Sequence, residues 1–124
     1  MIRRTALLAL PLVALAACGR QAPIGEGGGE FLGRGTLAER ALAIRRAGAG
    51  LGWTMQDAAP GRFRGTLNLR GHQALVDIPY DAQRFTIRYA GSTNLNASAG
   101  TIHPNYNGWV QNLQQAIIRE SGIR

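Results

Sequence analysis

The stretch that decides the fold is RFRGTLNLR at residues 62–70, followed by QALVDIPY at 73–80 and RFTIRYA at 84–90. In each run apolar residues alternate with polar ones, which is the pattern of a β-strand that buries one face. The segments between the runs, Gly71-His72 and residues 81–83, are short enough to be hairpin turns. The sequence therefore predicts a three-stranded antiparallel meander, with residues 53–57 as a candidate fourth strand.

A helix is predicted on either side of the meander. Thr36 and Glu39 have the spacing of a capping box, and they precede apolar residues at helical spacing, namely Leu37, Ala41, Ile44, Gly48 and Leu51. Pro104 suits the first turn of the second helix, whose apolar stripe consists of Tyr106, Val110, Leu113 and Ile117, with Trp109 at its border. Both helices can cover one sheet face, so the predicted fold is a two-layer α+β domain over residues 36–124.

The first seventeen residues have the pattern of a secretory signal peptide. Arg3 and Arg4 give a positive start, and residues 6–17 form an almost unbroken apolar run. That run is shorter than the ~20 residues that a membrane-spanning helix needs. Pro11 within the run and the lack of a polar face argue against the alternative of a buried helix. We therefore expect residues 1–17 to direct export and to be removed.

The end of this segment, Leu15-Ala16-Ala17-Cys18, resembles the lipobox of bacterial lipoproteins, and Cys18 is the only cysteine in the chain. The resemblance implies cleavage before Cys18 and lipidation of that residue, including acyl chains such as palmitate. Several acyl chains make a stable membrane anchor. Gly19, where some lipoproteins have Asp, implies onward sorting to the outer membrane, facing the periplasm.

Residues 18–35 are expected to join the lipidated cysteine to the domain as a tether. Besides Gly19, six glycines fall within this segment: Gly25, Gly27, Gly28, Gly29, Gly33 and Gly35. A glycine-rich chain of this length is flexible, buries no core and spans roughly 20–25 Å. Such a tether would hold the domain clear of the lipid headgroups.

The positive charge of the chain comes from arginine alone, with 14 Arg, no Lys and 7 acidic residues. Without Arg3 and Arg4 the mature chain keeps 12 Arg and a formal charge of +5. This balance suggests an anionic partner, although a GC-rich genome would also favour Arg over Lys. An exported location argues against nucleic acid. With Cys18 lipidated, no thiol remains for a disulfide or a metal site.

A second resemblance comes from IHPNYNGW at residues 102–109, together with YAGSTNL at 89–95 and Gly52-Trp53. These segments resemble a family of small uncharacterised bacterial lipoproteins in which an Ile-His-x-x-Tyr-Asn-x-Trp stretch opens the final helix. The resemblance spans about residues 40–118. It implies the domain and an envelope location, and it implies no activity.

Two groups of residues are candidate sites. The first is a polar cluster in which His103 would act as a base or ligand, namely Ser92, Asn94, His103 and Asn107. A structural role for these residues at the junction of loop and helix is the favoured alternative. With Ser92 and His103 alone, no acid has a spacing that would complete a catalytic triad. No metal set is apparent, because the other histidine, His72, is predicted to lie in a turn.

The second group is an arginine face on the outer side of the sheet: Arg62, Arg64, Arg70, Arg84 and Arg88, with Asp77 as the expected acid. Guanidinium groups bind carboxylates and phosphates bidentately, so this face suits an anionic partner; a solvated sheet face is the alternative. We expect a non-enzymatic, lipid-anchored envelope protein, without cofactor or metal, that binds a protein or an anionic glycan or lipid. The alternative is a small hydrolase that uses Ser92 and His103.

Overall fold

A computed structural model describes residues 21–123 of the chain, so the predicted signal peptide and Cys18 lie outside the described residues. Within that range two helices and seven strands follow one another along the chain. They are β1 Ala22–Pro23, β2 Gly27–Glu30, α1 Leu37–Gly50, β3 Trp53–Ala59, β4 Arg62–Leu69, β5 His72–Pro79, β6 Arg84–Thr93, β7 Thr101–Ile102 and α2 Asn105–Ser121.

The strands form a five-stranded antiparallel sheet in the order β2-β6-β5-β4-β3, and β1 pairs with β7 in a separate two-stranded sheet. The fold is α+β, as the alternation and the helical spacing predict. Strands β3 to β6 are a meander of four strands between the helices, and the candidate strand at residues 53–57 is β3.

The core lies between one face of the sheet and the two helices. Alternate residues of the central strands are buried, including Phe63, Val76 and Ile87, each at 0% exposure. The predicted stripe of α2 is buried against them, from Tyr106 to Ile117. The outer face of the sheet carries half-buried and exposed side chains only. Burial of one face therefore produces the alternation that the sequence shows.

Helix α1 begins with the predicted capping box of Thr36 and Glu39, and Ile44 and Gly48 of its expected apolar face are buried. The rest of the buried face is rotated from the expected one. Leu37 and Leu51 are exposed, whereas Arg40 is only 3% exposed. The Arg40 guanidinium donates to the carbonyl oxygens of Leu32, Gly33 and Ala82. Its planar fork satisfies three carbonyls at once, which offsets the cost of burying a charge without a carboxylate.

The prediction of a flexible tether is wrong from Ala22 onward. Residues Gly27–Glu30 are strand β2, which pairs with β6 in the register Gly27↔Ile87 to Glu30↔Arg84. Phe31 follows as a core residue, with its ring centroid 5.1 Å from that of Phe85. The folded unit therefore includes residues 22–35 rather than beginning at Thr36.

The glycines of β2 allow close packing against helix α2 and against the backbone of β6. A Cβ atom on Gly27 would lie 2.8 Å from Val110 Cγ1, and one on Gly29 would lie 3.1 Å from Ile118 Cδ1. Gly28 has φ +149°, and a Cβ there would lie 2.6 Å from the backbone oxygen of Phe85. Glycine thus allows this strand to lie beside the helix, and flexibility is not its role here.

Candidate functional site

The outer face of the sheet places four of the five predicted arginines on one surface. Arg62 and Arg64 alternate with buried residues of β4, and Arg84 and Arg88 alternate with buried residues of β6. Across the strands Arg64 pairs with Asp77, and Asp77 pairs with Arg88. Because adjacent strands lie about 4.8 Å apart, Arg64 and Arg88 flank Asp77, and their backbones are about 10 Å apart across the sheet.

Two of these arginines have carboxylate partners. Arg64 Nε lies 2.8 Å from Asp77 Oδ1, and Arg84 Nη2 lies 3.2 Å from Glu30 Oε2. Glu30 was missed as a member of this face because its segment reads as a tether in the sequence. Within residues 21–123 neither Arg62 nor Arg88 has a carboxylate partner. These two are the guanidinium groups available to an anion.

Arg70 does not belong to this face, which corrects the prediction from alternation. Its φ is +54°, and that of Gly71 is +80°. These angles place Arg70 and Gly71 at the two central positions of a tight hairpin turn of the I′ kind. The turn is therefore one residue earlier than predicted, and His72 is the first residue of β5. Alternation fails at Arg70 because the strand has already ended.

The polar cluster predicted from the sequence divides into separate local interactions. The Ser92 hydroxyl lies 2.8 Å from the Tyr89 hydroxyl. Asn94 has φ +62° and donates from Nδ2 to the carbonyl oxygen of Gly71, 2.8 Å away. The first contact lies within β6, and the second joins the residue after β6 to the turn between β4 and β5. Both are structural contacts, which is the role that the sequence favoured.

His103 and Asn107 also have local structural partners. His103 lies two residues before helix α2, and its Nδ1 accepts from the backbone N–H of Asn105, the first residue of the helix, at 3.2 Å. Asn107 accepts from the N–H of Gly25 and donates to the carbonyl oxygen of Pro23, both at 2.9 Å. Asn107 thus fixes the N-terminal segment to the helix, and its hydrogen-bonding groups are directed at backbone rather than at a ligand.

No hydrogen bond joins Ser92 to His103 in the part of the chain that the structure describes. Over the same residues, no three or more His, Cys, Asp or Glu side chains are grouped so as to hold a metal ion. No known protein family, curated protein or solved structure matches this chain. Its function is therefore inferred from the geometry of its own residues and from the sequence.

Sequence reasoning missed a polar stripe on helix α2 formed by Asn107, Gln114 and Ser121. These side chains accept hydrogen bonds from the backbone N–H groups of Gly25, Gly28 and Leu32, each at 2.9 Å. Residues seven apart lie on one face of a helix after two turns. The seven-residue spacing of polar side chains beside a glycine-rich segment was the available signal. The stripe covers the edge of β2 that faces away from β6.

A pair of tyrosines lies where β6 meets α2. The rings of Tyr89 and Tyr106 are perpendicular, with centroids 5.5 Å apart. The Tyr106 hydroxyl is buried without a hydrogen-bond partner among the described residues. Burial raises the pKa of Tyr106 well above its ordinary value, and the nearby Tyr89 and Glu26 raise it further. The phenol is therefore neutral at physiological pH.

Proposed function

We propose that this protein is a lipid-anchored cell-envelope module that binds an anionic partner through the outer face of its sheet. The observation that carries the proposal is the pair of exposed, unpaired guanidinium groups of Arg62 and Arg88 beside the Arg64–Asp77 ion pair. A polar surface of this kind, left uncovered by both helices, suits carboxylates or phosphates of an envelope protein, glycan or lipid. The proposal includes no catalytic step, cofactor or metal.

The start of the folded unit constrains how the module would sit. Only three residues, 19–21, separate Cys18 from strand β1. Four Cα-to-Cα steps span at most about 14 Å, so lipid on Cys18 would hold β1 close to the headgroups. Strand β1 pairs with β7, and residues 89–118 contain no Asp, Glu, Lys or Arg. Residues 89–118 would therefore bring no charged side chain to the membrane, and Arg20 and Glu26 are the charged residues that flank β1.

The lipoprotein part of the proposal rests on the lipobox-like residues 15–18. No helix within residues 21–123 is long and apolar enough to cross a membrane. Cys18→Ala should abolish incorporation of labelled palmitate and release the protein from the membrane fraction. A Cys18→Ala protein that still incorporates palmitate and sediments with membranes would overturn the anchor. Comparing inner- and outer-membrane fractions of the unaltered protein tests its proposed location in the outer membrane.

The binding part is tested by removing one unpaired arginine. Arg88→Gln should weaken binding of the protein to isolated envelope by about tenfold, the effect of losing one charge-assisted contact of ~1.4 kcal/mol. Arg119→Gln is the matched control, because Arg119 is exposed on α2 and its substitution removes the same charge. Equal binding by the Arg88→Gln and Arg119→Gln proteins at low salt would overturn the sheet face as the binding surface.

The alternative of a small hydrolase has weaker support, because Ser92 and His103 each bond within their own segment. It makes the opposite prediction from the binding proposal. A His103→Ala protein that loses an envelope-processing activity while Arg88→Gln retains it would favour the hydrolase.

A further inference from the structure

A cleft opens at the end of the sheet where the C-terminal end of α1, strands β3 and β4, and helix α2 meet. Its volume is about 160 Å³. Its apolar lining includes Leu51, Trp53, Leu69 and Trp109, and its polar lining consists of Asn68 and Asn112. It lies apart from the proposed anion-binding surface, and its lining contains no charged side chain.

Two leucines and one tryptophan of the cleft are accessible to solvent. Leu51 and Leu69 are each 40% exposed although both are large and apolar. Trp109 is half-buried, and its ring lies 6.5 Å from the His72 ring, centroid to centroid. Trp53 is a core residue that contributes to the lining of the cleft. Aromatic and aliphatic surface of this kind favours a ligand that has an apolar face.

The two asparagines provide hydrogen-bonding groups at the same place. Asn68 Oδ1 accepts from Gln73 Nε2 at 3.0 Å, which leaves the Asn68 amide nitrogen to donate elsewhere. Asn112 is exposed, and its side chain makes no hydrogen bond within residues 21–123. A primary amide has two donor hydrogens and an acceptor oxygen. The cleft therefore combines apolar faces with neutral donors and an acceptor.

This chemistry selects among classes of ligand. Uncharged walls offer no opposite charge to a carboxylate or phosphate, so neutral amide donors alone would have to offset the cost of removing either group from water. A volume of about 160 Å³ is below the ~300–1,000 Å³ typical of sites for drug-sized molecules, so one ring is the scale that fits. A sugar ring has an apolar C–H face that packs on an indole, and its edge carries hydroxyl or acetamido groups that pair with amides.

We propose that this cleft binds one neutral pyranose ring of a glycan, with Trp109 against the apolar face of the sugar and Asn112 at its polar edge. This inference is independent of the proposed anchor and of the anionic partner. A hexose and an N-acetylhexosamine share this chemistry, and the experiment compares the two.

The test uses the intrinsic fluorescence of the mature protein. The chain has two tryptophans, Trp53 and Trp109, and both line the cleft, so any change in emission reports on this place. Titration with a neutral N-acetylglucosamine trisaccharide and, separately, with maltotriose should give a saturable change with at least one of them. The sugar that gives the lower Kd identifies the ring.

Two variants of α2 show whether a sugar binds in the cleft itself. Asn112→Ala changes an exposed side chain and should raise the Kd by about tenfold, the effect of losing ~1.4 kcal/mol of hydrogen bonding. Gln111→Ala, the neighbouring exposed position on α2, is the matched control and should leave the Kd unchanged. The proposal is overturned if neither sugar gives a saturable signal or if Asn112→Ala binds as tightly as the unaltered protein. Saturable binding of N-acetyl-leucinamide, with no response to either sugar, would instead assign the cleft to an apolar protein side chain.

Discussion

Strands β2 and β5 belong to the same sheet but are held in it by different interactions. Strand β5 buries Ala74, Val76 and Ile78, each at 0% exposure, between two neighbouring strands and the helices. Strand β2 has three glycines and no apolar side chain to bury. Its backbone pairs with β6 on one side, and on the other side Gln114 of the polar stripe accepts from the N–H of Gly28.

The difference shows what a side-chain pattern can and cannot reveal. Alternation predicts a strand only when the side chains of that strand distinguish a buried face from an exposed one. A strand of glycines has no alternating side chains, so its sequence shows no such pattern. Its position depends instead on the surface against which it packs. For β2 that surface is the row of Val110, Gln114 and Ile118 on α2. The same composition that typifies a flexible linker can therefore mark a tightly packed strand.

Removing the glycine segment gives the largest expected effect. A chain of residues 36–124 lacks β2 and the buried Phe31, and it leaves the polar stripe of α2 without its partners. Loss of a buried phenylalanine alone costs about 3–5 kcal/mol, a large part of the total for a domain of this size. Thermal unfolding followed by circular dichroism should show lost cooperativity, whereas a chain starting at Gln21 should unfold cooperatively. If the two chains unfold at the same temperature and with equal cooperativity, the segment before Thr36 is a tether that does not contribute to the fold.

Adding one methyl group to β2 gives the next largest effect. Gly28→Ala introduces a Cβ 2.6 Å from the Phe85 carbonyl oxygen at φ +149°, and should destabilise the protein by about 2–3 kcal/mol in urea unfolding. Gly108→Ala is the control, because a Cβ at this position of α2 meets nothing within 4 Å. It should stabilise the protein by about 0.5–1 kcal/mol through helix propensity. The account of glycine packing fails if both changes have the same sign.

The sequence predicts the meander, both helices and the buried stripe of α2 because those segments carry strong alternating or helical patterns. It misplaces Arg40 and Arg70. Arg40 is buried because its guanidinium donates to carbonyl groups of the segment before α1 and to that of Ala82, 42 residues away. Arg70 lies in a turn that departs from the strand period. For the candidate site, alternation places Arg62, Arg64, Arg84 and Arg88 together. Glu30 on the adjoining strand could not be anticipated because β2 itself leaves no pattern.

A single hydrogen bond from the stripe gives a smaller effect. Gln114→Ala leaves the half-buried N–H of Gly28 without its acceptor, which should cost about 1–2 kcal/mol in urea unfolding. Gln115→Ala removes an exposed amide from the same turn and should change stability by less than about 0.5 kcal/mol. If the two variants unfold at the same urea concentration, the side chain of Gln114 does not support β2.

The smallest expected change in stability concerns Tyr106, in the first turn of α2. Tyr106→Phe removes a buried hydroxyl that lacks a partner among the described residues, so it should leave stability unchanged or raise it by up to about 1 kcal/mol. Tyr106→Leu, which loses the ring that packs on Tyr89, should destabilise the protein. A clear loss of stability in the phenylalanine variant would show that the hydroxyl has a hydrogen-bond partner.

Amide hydrogen exchange of the mature protein shows directly whether β2 forms, because it changes no residue. A peptide covering residues 25–31 should be protected to a degree approaching that of β5, since β2 pairs with β6 on one side and the N–H of Gly28 donates to Gln114 on the other. The exposed loop at residues 96–100 should exchange much faster and supplies the internal reference. If residues 25–31 instead exchange as rapidly as that loop, the glycine-rich segment is a flexible tether and strand β2 does not form.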